Sequence, residues 1–389
     1  MINKIKQLAE STFDEVVSIR RHIHKNPELS FKEHKTSAYI KSVLTGWKIP
    51  FTEYIADTGI VVLLQGNNPS SKTLALRADF DALPIIEENE VDYCSINNGV
   101  MHACGHDAHT ASLLGAINIL NALKKEWEGS LKFIFQPAEE MLPGGAQQMI
   151  KEGVLENPHV EKMIGQHVFP DLEVGKIGFR PGKYMASTDE LHITIRGKGG
   201  HAALPEKYNS PLLAAAKLIT ALDEFSKKEK DIPCVLAIGF IEGLGSTNII
   251  PELIKLKGTF RVMDEDFRIK THEEMLAIAN NIAETYSLTI DFDIRKGYPC
   301  LVNDEGVTKK SISFAKEYMG AENVIDLPIR MTAEDFSYYS HQVPSCFYRL
   351  GTANRSKGII HGLHTSRFNI DESSLKVGMG LMAYLAIKN

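Results

Sequence analysis

The spacing of apolar residues divides the first half of the chain into alternating helices and strands. An N-terminal helix is predicted from apolar positions three and four residues apart, namely Ile5, Leu8, Val16, Ile19 and Ile23. Pro27 ends that helix. Apolar runs then predict strands in "TGIVVLLQG", "KTLALRADF", "SLKFIFQ" and "KMIGQHV", with helices from about His109 to Lys125 and around "AQQMIKEG". This alternation favours an α/β domain with a largely parallel sheet.

Near Ser187 the order of elements changes to β-α-β-β-α-β. Its strands are "DELHITIRGK", "CVLAIGFIEG", "ELIKLKGTFRV" and "LTIDFDIRKG", and its helices are "SPLLAAAKLITALDEFS" and "EEMLAIANNIAETYS". This is the ferredoxin-like pattern, which forms a compact α+β domain. We therefore predict an inserted domain over 187–297 within a discontinuous domain formed by 1–186 and 298–389. The last helix of the chain should bury a stripe formed by Leu375, Met379, Met382 and Leu385.

Composition excludes several classes of function. The 389 residues are 43% hydrophobic and 24% charged, which is typical of a globular protein with more than one core. A net charge of −6 gives no basic surplus for nucleic-acid phosphates. The sequence has no membrane-spanning apolar run and its start does not read as a signal peptide. The five cysteines are scattered and form no CxxC pair, so we expect a reducing, cytoplasmic compartment.

Metal-binding residue types cluster in the segment "MHACGHDAHT", which carries Cys104 and His106. Three further segments follow predicted strands or lie in a late loop: "FQPAEE" with Glu139 and Glu140, "GQHV" with His167, and "HGLHTSRF" with His361 and His364. The carboxyl ends of parallel strands share one crevice, so these segments could meet there. One acid of the adjacent pair could bind a metal while the other serves as a general base.

Two other interpretations of the cluster remain open at this point. Cys104 could be a nucleophile activated by His102 or His106, and chelators would then leave activity unchanged. Alternatively, the cluster could be a structural zinc site, although such sites are closed and rarely pair carboxylates with an uncoordinated base. Asp79, Asp81 and Asp107 are candidates to orient a ligand imidazole, and the sequence does not choose among them.

The motifs "ALRADFDALP", "MHACGHDAHT", "FQPAEE…GGA", "GKGGHAALP", "NIIPE…KGTFR", "MTAEDF" and "GLHTSRF" resemble the M20 metallopeptidase family over nearly the whole chain. The resemblance is to its amidohydrolase branch, which contains N-acyl-amino-acid, hippurate and auxin-conjugate hydrolases. It implies a zinc-peptidase-like α/β catalytic domain with an inserted ferredoxin-like dimerisation domain. It also implies a metal-dependent hydrolase that cleaves the amide bond of N-acyl amino acids, with a dipeptidase or aminopeptidase of the same family as the alternative.

The same resemblance assigns roles to individual residues. It implies two divalent ions, which could be Zn, Mn, Co or Ni, bound by five ligands: Cys104, His106, Glu140, His167 and His364. Glu139 would be the general base, and His201 would stabilise the oxyanion across a homodimer. Asn248 and Arg261 would hold the substrate, including its free carboxylate. The expected partners are therefore a small N-acyl amino acid and a second copy of the chain, with neither nucleic acid nor membrane.

Overall fold

The computed structural model describes residues 1–227 and 231–389. Its α-helices are α1 Ile2–Ser11, α2 Phe13–Lys25, α3 His34–Gly46, α4 His106–Ala122, α5 Gly145–Lys151, α6 Pro211–Ser226, α7 Glu265–Tyr286, α8 Glu305–Met319, α9 Ser337–Ser340 and α10 Ser374–Lys388. Its strands are β1 Phe51–Ile55, β2 Gly59–Gln65, β3 Thr73–Asp79, β4 Ser130–Gln136, β5 Lys162–Glu173, β6 Ile177–Phe179, β7 Gly182–Met185, β8 Asp189–Arg196, β9 Gly200–His201, β10 Cys234–Glu242, β11 Ile249–Ile250, β12 Leu253–Val262, β13 Thr289–Lys296, β14 Leu301–Asn303, β15 Val324–Asp326 and β16 Ser345–Ala353. In this part of the chain no helix is both long and apolar enough to cross a bilayer.

The chain divides into two compact units, and the first comprises Met1–Gly182, Val302–Pro328 and Asp335–Asn389. Its eight-stranded sheet has the order β1-β2-β4-β3-β5-β16-β6-β15. The four central strands, β4, β3, β5 and β16, run parallel, while β1 and β2 add to one side in antiparallel register. Every residue of β3 and β4 is buried, as expected for parallel strands covered on both faces.

Helices α4 and α10 pack against each other in the core of this unit. The stripe predicted for the last helix is confirmed, because Leu375, Met379, Met382 and Leu385 are all buried. Gly115 in α4 permits this contact, since a β-carbon there would lie 2.7 Å from the sulfur of Met379. Packing against α10 thereby fixes the position of α4, whose first residue is the candidate ligand His106.

Three local predictions were wrong. The N-terminal helix is two helices, α1 and α2, separated at Thr12, whose hydroxyl donates to the carbonyl of Leu8. Helix α4 begins at His106 rather than near His109 because Gly105, at φ +80°, starts it. Strand β5 does not end at His167 but continues to Glu173. In each case the end of a helix or strand depends on a local turn or on pairing with a distant strand, and the spacing of apolar residues reports neither.

The second unit comprises Lys183–Leu301 and Ile329–Glu334. Its four-stranded antiparallel sheet has the order β10-β12-β8-β13, and α6 and α7 pack on this sheet and on each other. The β-α-β-β-α-β order is confirmed, with the strand order of a ferredoxin-like fold. The unit has its own apolar core, centred on residues such as Ile193, Leu218, Leu256 and Met275.

Candidate functional site

The candidate site lies at the carboxyl ends of the parallel strands in the first unit. Strand β3 ends at Asp79 and β4 ends at Gln136, three and four residues before Glu139 and Glu140. His167 lies on β5 just beyond Gly165, the last residue that pairs with β3. Open α/β sheets place their sites in this crevice because the loops that leave parallel strands converge there.

Gly105 separates the two ligand candidates Cys104 and His106. Its left-handed conformation turns the chain into α4, and a β-carbon there would lie 2.5 Å from a methyl group of Val168. Glycine is therefore required both by the backbone angle and by the neighbouring strand. After this turn, the side chains of Cys104 and His106 are both buried and both lie near His167 on β5.

The structure brings the five candidate ligands together. Potential ligand atoms of Cys104, His106 and His167 lie within 4.8 Å of one another. Those of Cys104, Glu140 and His364 form a second group at the same spacing. The two groups share the Cys104 sulfur, and His364 Nε2 lies 3.2 Å from Glu140 Oε1. Donors separated by hundreds of residues in sequence thus surround one small volume.

Hydrogen bonds fix the orientation of two of the imidazoles. His167 Nδ1 lies 2.7 Å from the carbonyl oxygen of Val168, which can only accept, so Nδ1 carries the proton. Burial lowers the pKa of His167 well below its usual range, so the ring is neutral and its Nε2 lone pair points toward Cys104 Sγ at 3.5 Å. His106 Nδ1 lies 3.1 Å from Asp81 Oδ1, which directs His106 Nε2 into the site.

The charge of the site fits a bound cation. Burial alone would lower the pKa of His106, but Asp79 and Asp81 outweigh it and raise that pKa to about 10. Burial, together with Glu140 and Glu139, raises the pKa of the Cys104 thiol well above its usual range. The acidic surroundings thus disfavour a thiolate nucleophile, whereas a divalent cation would stabilise the same thiolate as a ligand.

Among the buried side-chain atoms of the described residues that lack a hydrogen-bond partner, two are candidate ligand atoms. They are His106 Nε2 and Glu140 Oε1. Buried polar atoms are nearly always paired, so such atoms need an explanation. Sulfur, imidazole and carboxylate donors suit Zn and related divalent ions. The residues present therefore fit a metal.

Glu139 lies beside the candidate ligands and is almost fully buried. Its carboxylate is within 4.8 Å of ligand atoms of His106 and Glu140. Glu139 Oε1 accepts a long hydrogen bond of 3.4 Å from the backbone N–H of Asp335. The two acids of "AEE" therefore differ in environment, since Glu140 faces His364 while Glu139 faces a backbone donor. Two such environments would suit a metal ligand and an adjacent general base.

The three aspartates predicted as possible partners of a ligand imidazole, Asp79, Asp81 and Asp107, make different contacts. Asp81 orients His106, and its Oδ2 also accepts bonds from the Ser30 hydroxyl (2.6 Å) and the Glu140 N–H (3.0 Å). Asp79 binds His109 Nδ1. Asp107 instead pairs with Arg20 and His24 on α2. The sequence leaves these assignments open because each depends on which distant residue lies opposite.

Sequence reasoning missed several residues that support the site. Arg77 donates to Asp79 at 2.6 Å and to Asp335 at 2.7 Å, and it holds the pKa of the Asp79 carboxyl well below its usual range against the effect of burial. His109 Nε2 accepts from the Val168 N–H at 2.8 Å, so both ring nitrogens have partners. A charged side chain inside the fully buried strand "TLALRAD" is a signal that could have identified Arg77.

The remaining predicted residues belong to the second unit. His201 lies on β9 opposite Ile249, and the carbonyl oxygen of Asn248 accepts from the Ala202 N–H, so His201 and Asn248 lie at one small two-stranded antiparallel sheet. Both are exposed. Arg261 lies on β12 and donates to the carbonyl of Met331 at 3.4 Å, and burial lowers the pKa of its guanidinium.

Comparison with known proteins identifies the family. Residues 75–388 match the model of peptidase family M20/M25/M40. The N-acyl-L-amino acid amidohydrolase of Geobacillus stearothermophilus is 38% identical over 78% of this chain and 82% of its own length. The N-acetyl-L-cysteine deacetylase of Bacillus subtilis is 36% identical over 93% of this chain and 85% of its own length.

A solved structure of an M20-family protein has a similar fold. The YxeP protein of Bacillus subtilis, described as a dinuclear metal-binding peptidase of the M20 family, has a TM-score of 0.82. It is 31% identical, and the match covers 97% of this chain and 98% of that one. The predicted fold class, a zinc-peptidase-like α/β domain with an inserted α+β domain, is confirmed. The chain therefore belongs to the M20/M25/M40 peptidase family and is a hydrolase of amide bonds.

Proposed function

We propose that this hydrolase cleaves the amide bond of N-acyl amino acids, releasing a carboxylate and a free amino acid. The observation that carries the proposal is the convergence of five candidate metal ligands next to the buried acid Glu139. The names of the amidohydrolase and deacetylase relatives support the substrate class. A dipeptide is the second candidate substrate, since the solved relative is called a peptidase.

Two divalent ions would be held by Cys104, His106, Glu140, His167 and His364. When bound, such ions make water more acidic and withdraw charge from a substrate carbonyl. Donor chemistry admits Zn, Mn, Co or Ni. Asp81 and the carbonyl of Val168 keep the proton of each buried imidazole on Nδ1, so that the two Nε2 atoms are available as ligands.

Glu139 would move the proton during hydrolysis. It takes a proton as the water oxygen adds to the amide carbonyl carbon, and it gives that proton to the nitrogen as the C–N bond breaks. Its near-complete burial excludes bulk water that would compete for the proton. Asn248 and Arg261 would hold the substrate, and the guanidinium suits its free carboxylate.

A homodimer is the proposed assembly, with His201 of one protomer stabilising the oxyanion in the site of the other. The second unit has an edge strand, β10, on which Val235, Phe240 and Ile241 are 40–57% exposed. An uncovered apolar edge strand favours pairing with another chain. We place the protein in the cytoplasm because all five cysteines are thiols in the described structure.

Glu139→Gln tests the reaction directly. Hydrolysis of N-acetyl and N-benzoyl amino acids and of dipeptides is followed by release of the free amine. The variant should lose turnover by at least ~100-fold, while the exposed Glu128→Gln control keeps it. Wild-type turnover in Glu139→Gln would refute the assigned base, and preference for dipeptides would favour the second substrate class.

Mixing two inactive variants tests the shared site. Glu139→Ala chains lack the base and His201→Ala chains lack the oxyanion donor, so a mixed dimer contains one site with both groups. Mixing followed by subunit exchange should restore activity. If mixed dimers form, as judged by native mass spectrometry, and stay inactive, the shared site is wrong.

A further inference from the structure

Glu33 is a buried acid outside the candidate site and has no place in the reaction described above. It directly precedes α3 and its side chain is fully buried. Its Oε1 accepts two backbone N–H groups, from Phe31 and Ala138, each at 2.9 Å. Its Oε2 accepts the hydroxyl of Thr58 at 3.1 Å. Only one of these three donors, Ala138, lies in the segment that leads into the site.

Ala138 directly precedes Glu139 and has an unusual backbone. Its φ is +53°, a region that residues with a β-carbon adopt rarely. Such a conformation persists when its surroundings fix it. Both polar groups of Ala138 are fixed, since its N–H donates to Glu33 and its carbonyl accepts from Gly145 at 2.9 Å.

We propose that Glu33 is a positioning residue that holds the turn at Ala138 and thereby aims the Glu139 carboxylate. The inference rests on the proposed role of Glu139 as the base. Glu33 acts through the backbone, because its oxygen is the acceptor for the N–H that fixes the turn. Thr58 and the N–H of Phe31 hold the Glu33 carboxylate in place from two other segments.

A misplaced base loses turnover more than substrate affinity. A displacement of about 1 Å in a reacting group can lower the rate by ~100-fold. Glu33 contributes no atom to the groups of candidate ligands, so loss of its acceptor should leave metal content unchanged. The signature of a positioning role is therefore lower kcat with unchanged KM and unchanged bound metal.

Three substitutions at Glu33 distinguish the effect of its hydrogen-bond acceptor from the effects of its charge and of its side-chain volume. Glu33→Met fills a similar volume without an acceptor, and kcat should fall by ~10- to 100-fold. Glu33→Gln keeps a carbonyl oxygen for both N–H groups, and its amide can donate to the Thr58 hydroxyl, so kcat should stay within threefold of wild type. Glu33→Asp withdraws the oxygens by about 1.5 Å and should give an intermediate kcat.

Glu28 provides a matched control in the same segment. Its carboxylate accepts the N–H and the hydroxyl of Thr36, at 2.8 and 2.9 Å, and does not contact the 137–140 turn. Glu28→Met should lower stability without lowering kcat. Normal kcat in Glu33→Met, or an equal loss in Glu33→Gln, would overturn the proposal. If Glu33→Met fails to fold, wild-type turnover in Glu33→Asp is the overturning result.

Hydrogen exchange gives a second measurement that needs no substrate. Peptides covering 133–141 should exchange faster in Glu33→Met than in wild type or in Glu28→Met, because the Ala138 N–H loses its acceptor. Unchanged exchange would refute the positioning role whatever the substrate is. In contrast, an inactive wild-type enzyme with the expected exchange difference would refute the proposed substrate class and leave the role of Glu33 supported.

Discussion

Replacing Asp81 with asparagine should weaken metal binding although the side chain keeps its shape. Asp81 accepts three hydrogen bonds, from His106 Nδ1 to Oδ1 and from the Ser30 hydroxyl and the Glu140 N–H to Oδ2. Asparagine has one acceptor oxygen and one NH2 group. Each of its two orientations therefore creates a conflict inside a fully buried site.

If the amide oxygen faces His106, the NH2 group faces the N–H of Glu140. The Ser30 hydroxyl can turn to accept, but a backbone N–H cannot, so two donors meet. If the amide is reversed, the NH2 group faces His106 Nδ1 and that nitrogen must accept. The proton then moves to His106 Nε2, which removes the lone pair a metal requires.

One unsatisfied buried donor costs about 1–3 kcal/mol. At about 1.4 kcal/mol per factor of ten, this corresponds to a ~5- to 140-fold loss of metal affinity, a range that contains the usual ~10- to 100-fold effect of losing an outer partner of a histidine ligand. Ser30→Ala removes one of the three bonds and leaves the other two in place. That control should lose less than about fivefold.

Metal affinity is measured by competition between the metal-free protein and a chelator of known affinity, using Zn and Mn separately. Circular dichroism and thermal unfolding of the metal-free proteins establish that the variants fold. Wild-type affinity and stoichiometry in folded Asp81→Asn would refute the orienting role of Asp81. An equal loss in Ser30→Ala would show that the hydroxyl, rather than the acceptor for His106, controls the site.

Three further predictions concern stability and metal. Burial, with the nearby Asp81, raises the pKa of Glu33 from 4.5 to about 7, so the folded state holds a proton that the unfolded state releases between these values. The free energy of unfolding should therefore fall by up to about 3 kcal/mol as pH rises from 4.5 to 7. Urea unfolding should show that Glu33→Gln lacks this part of the pH dependence. The same change of unfolding free energy with pH in wild type and in Glu33→Gln would contradict the prediction. Gly145→Ala should lower both the melting temperature and turnover, because the new β-carbon would lie 1.9 Å from the Pro137 carbonyl oxygen. The control Gly46→Ala, with open space around the new β-carbon, should change neither quantity. A Gly145→Ala protein with the wild-type melting temperature and turnover would show that the turn can move. EDTA should abolish activity and lower the melting temperature, with both restored by Zn, Mn, Co or Ni, whereas full activity after verified metal removal would refute the metal mechanism.

Much of the fold follows from local sequence pattern. Buried strands such as β3 and β4 are recognisable from their mostly apolar residues, and the sequence pattern predicts the β-α-β-β-α-β order of the second unit. Apolar spacing predicts a start of α4 near His109, later than the observed His106, because it does not report a left-handed glycine such as Gly105. Apolar spacing also predicts one helix across the break at Thr12, because the apolar face continues from α1 into α2.

Sequence motifs identify the candidate ligands, but they do not identify the residues that hold the site in position. Cys104, His106 and Glu140 occur in short segments that resemble family motifs. Glu33 and Arg77, by contrast, act on residues 105 and 258 positions away along the chain. Glu is ordinary at a helix start, and a buried Arg signals an unknown partner at most, so the partners of both residues become evident when the sheet order and the turn at Ala138 are known.

The sheet order also constrains how the molecule is synthesised. Strand β16 lies between β5 and β6, although the ribosome produces it more than 160 residues after them. Until residue 345 emerges, the centre of the sheet has an open slot lined by unpaired backbone groups of β5 and β6. We expect chains released before that point to aggregate, and the cation to be loaded after translation has passed His364.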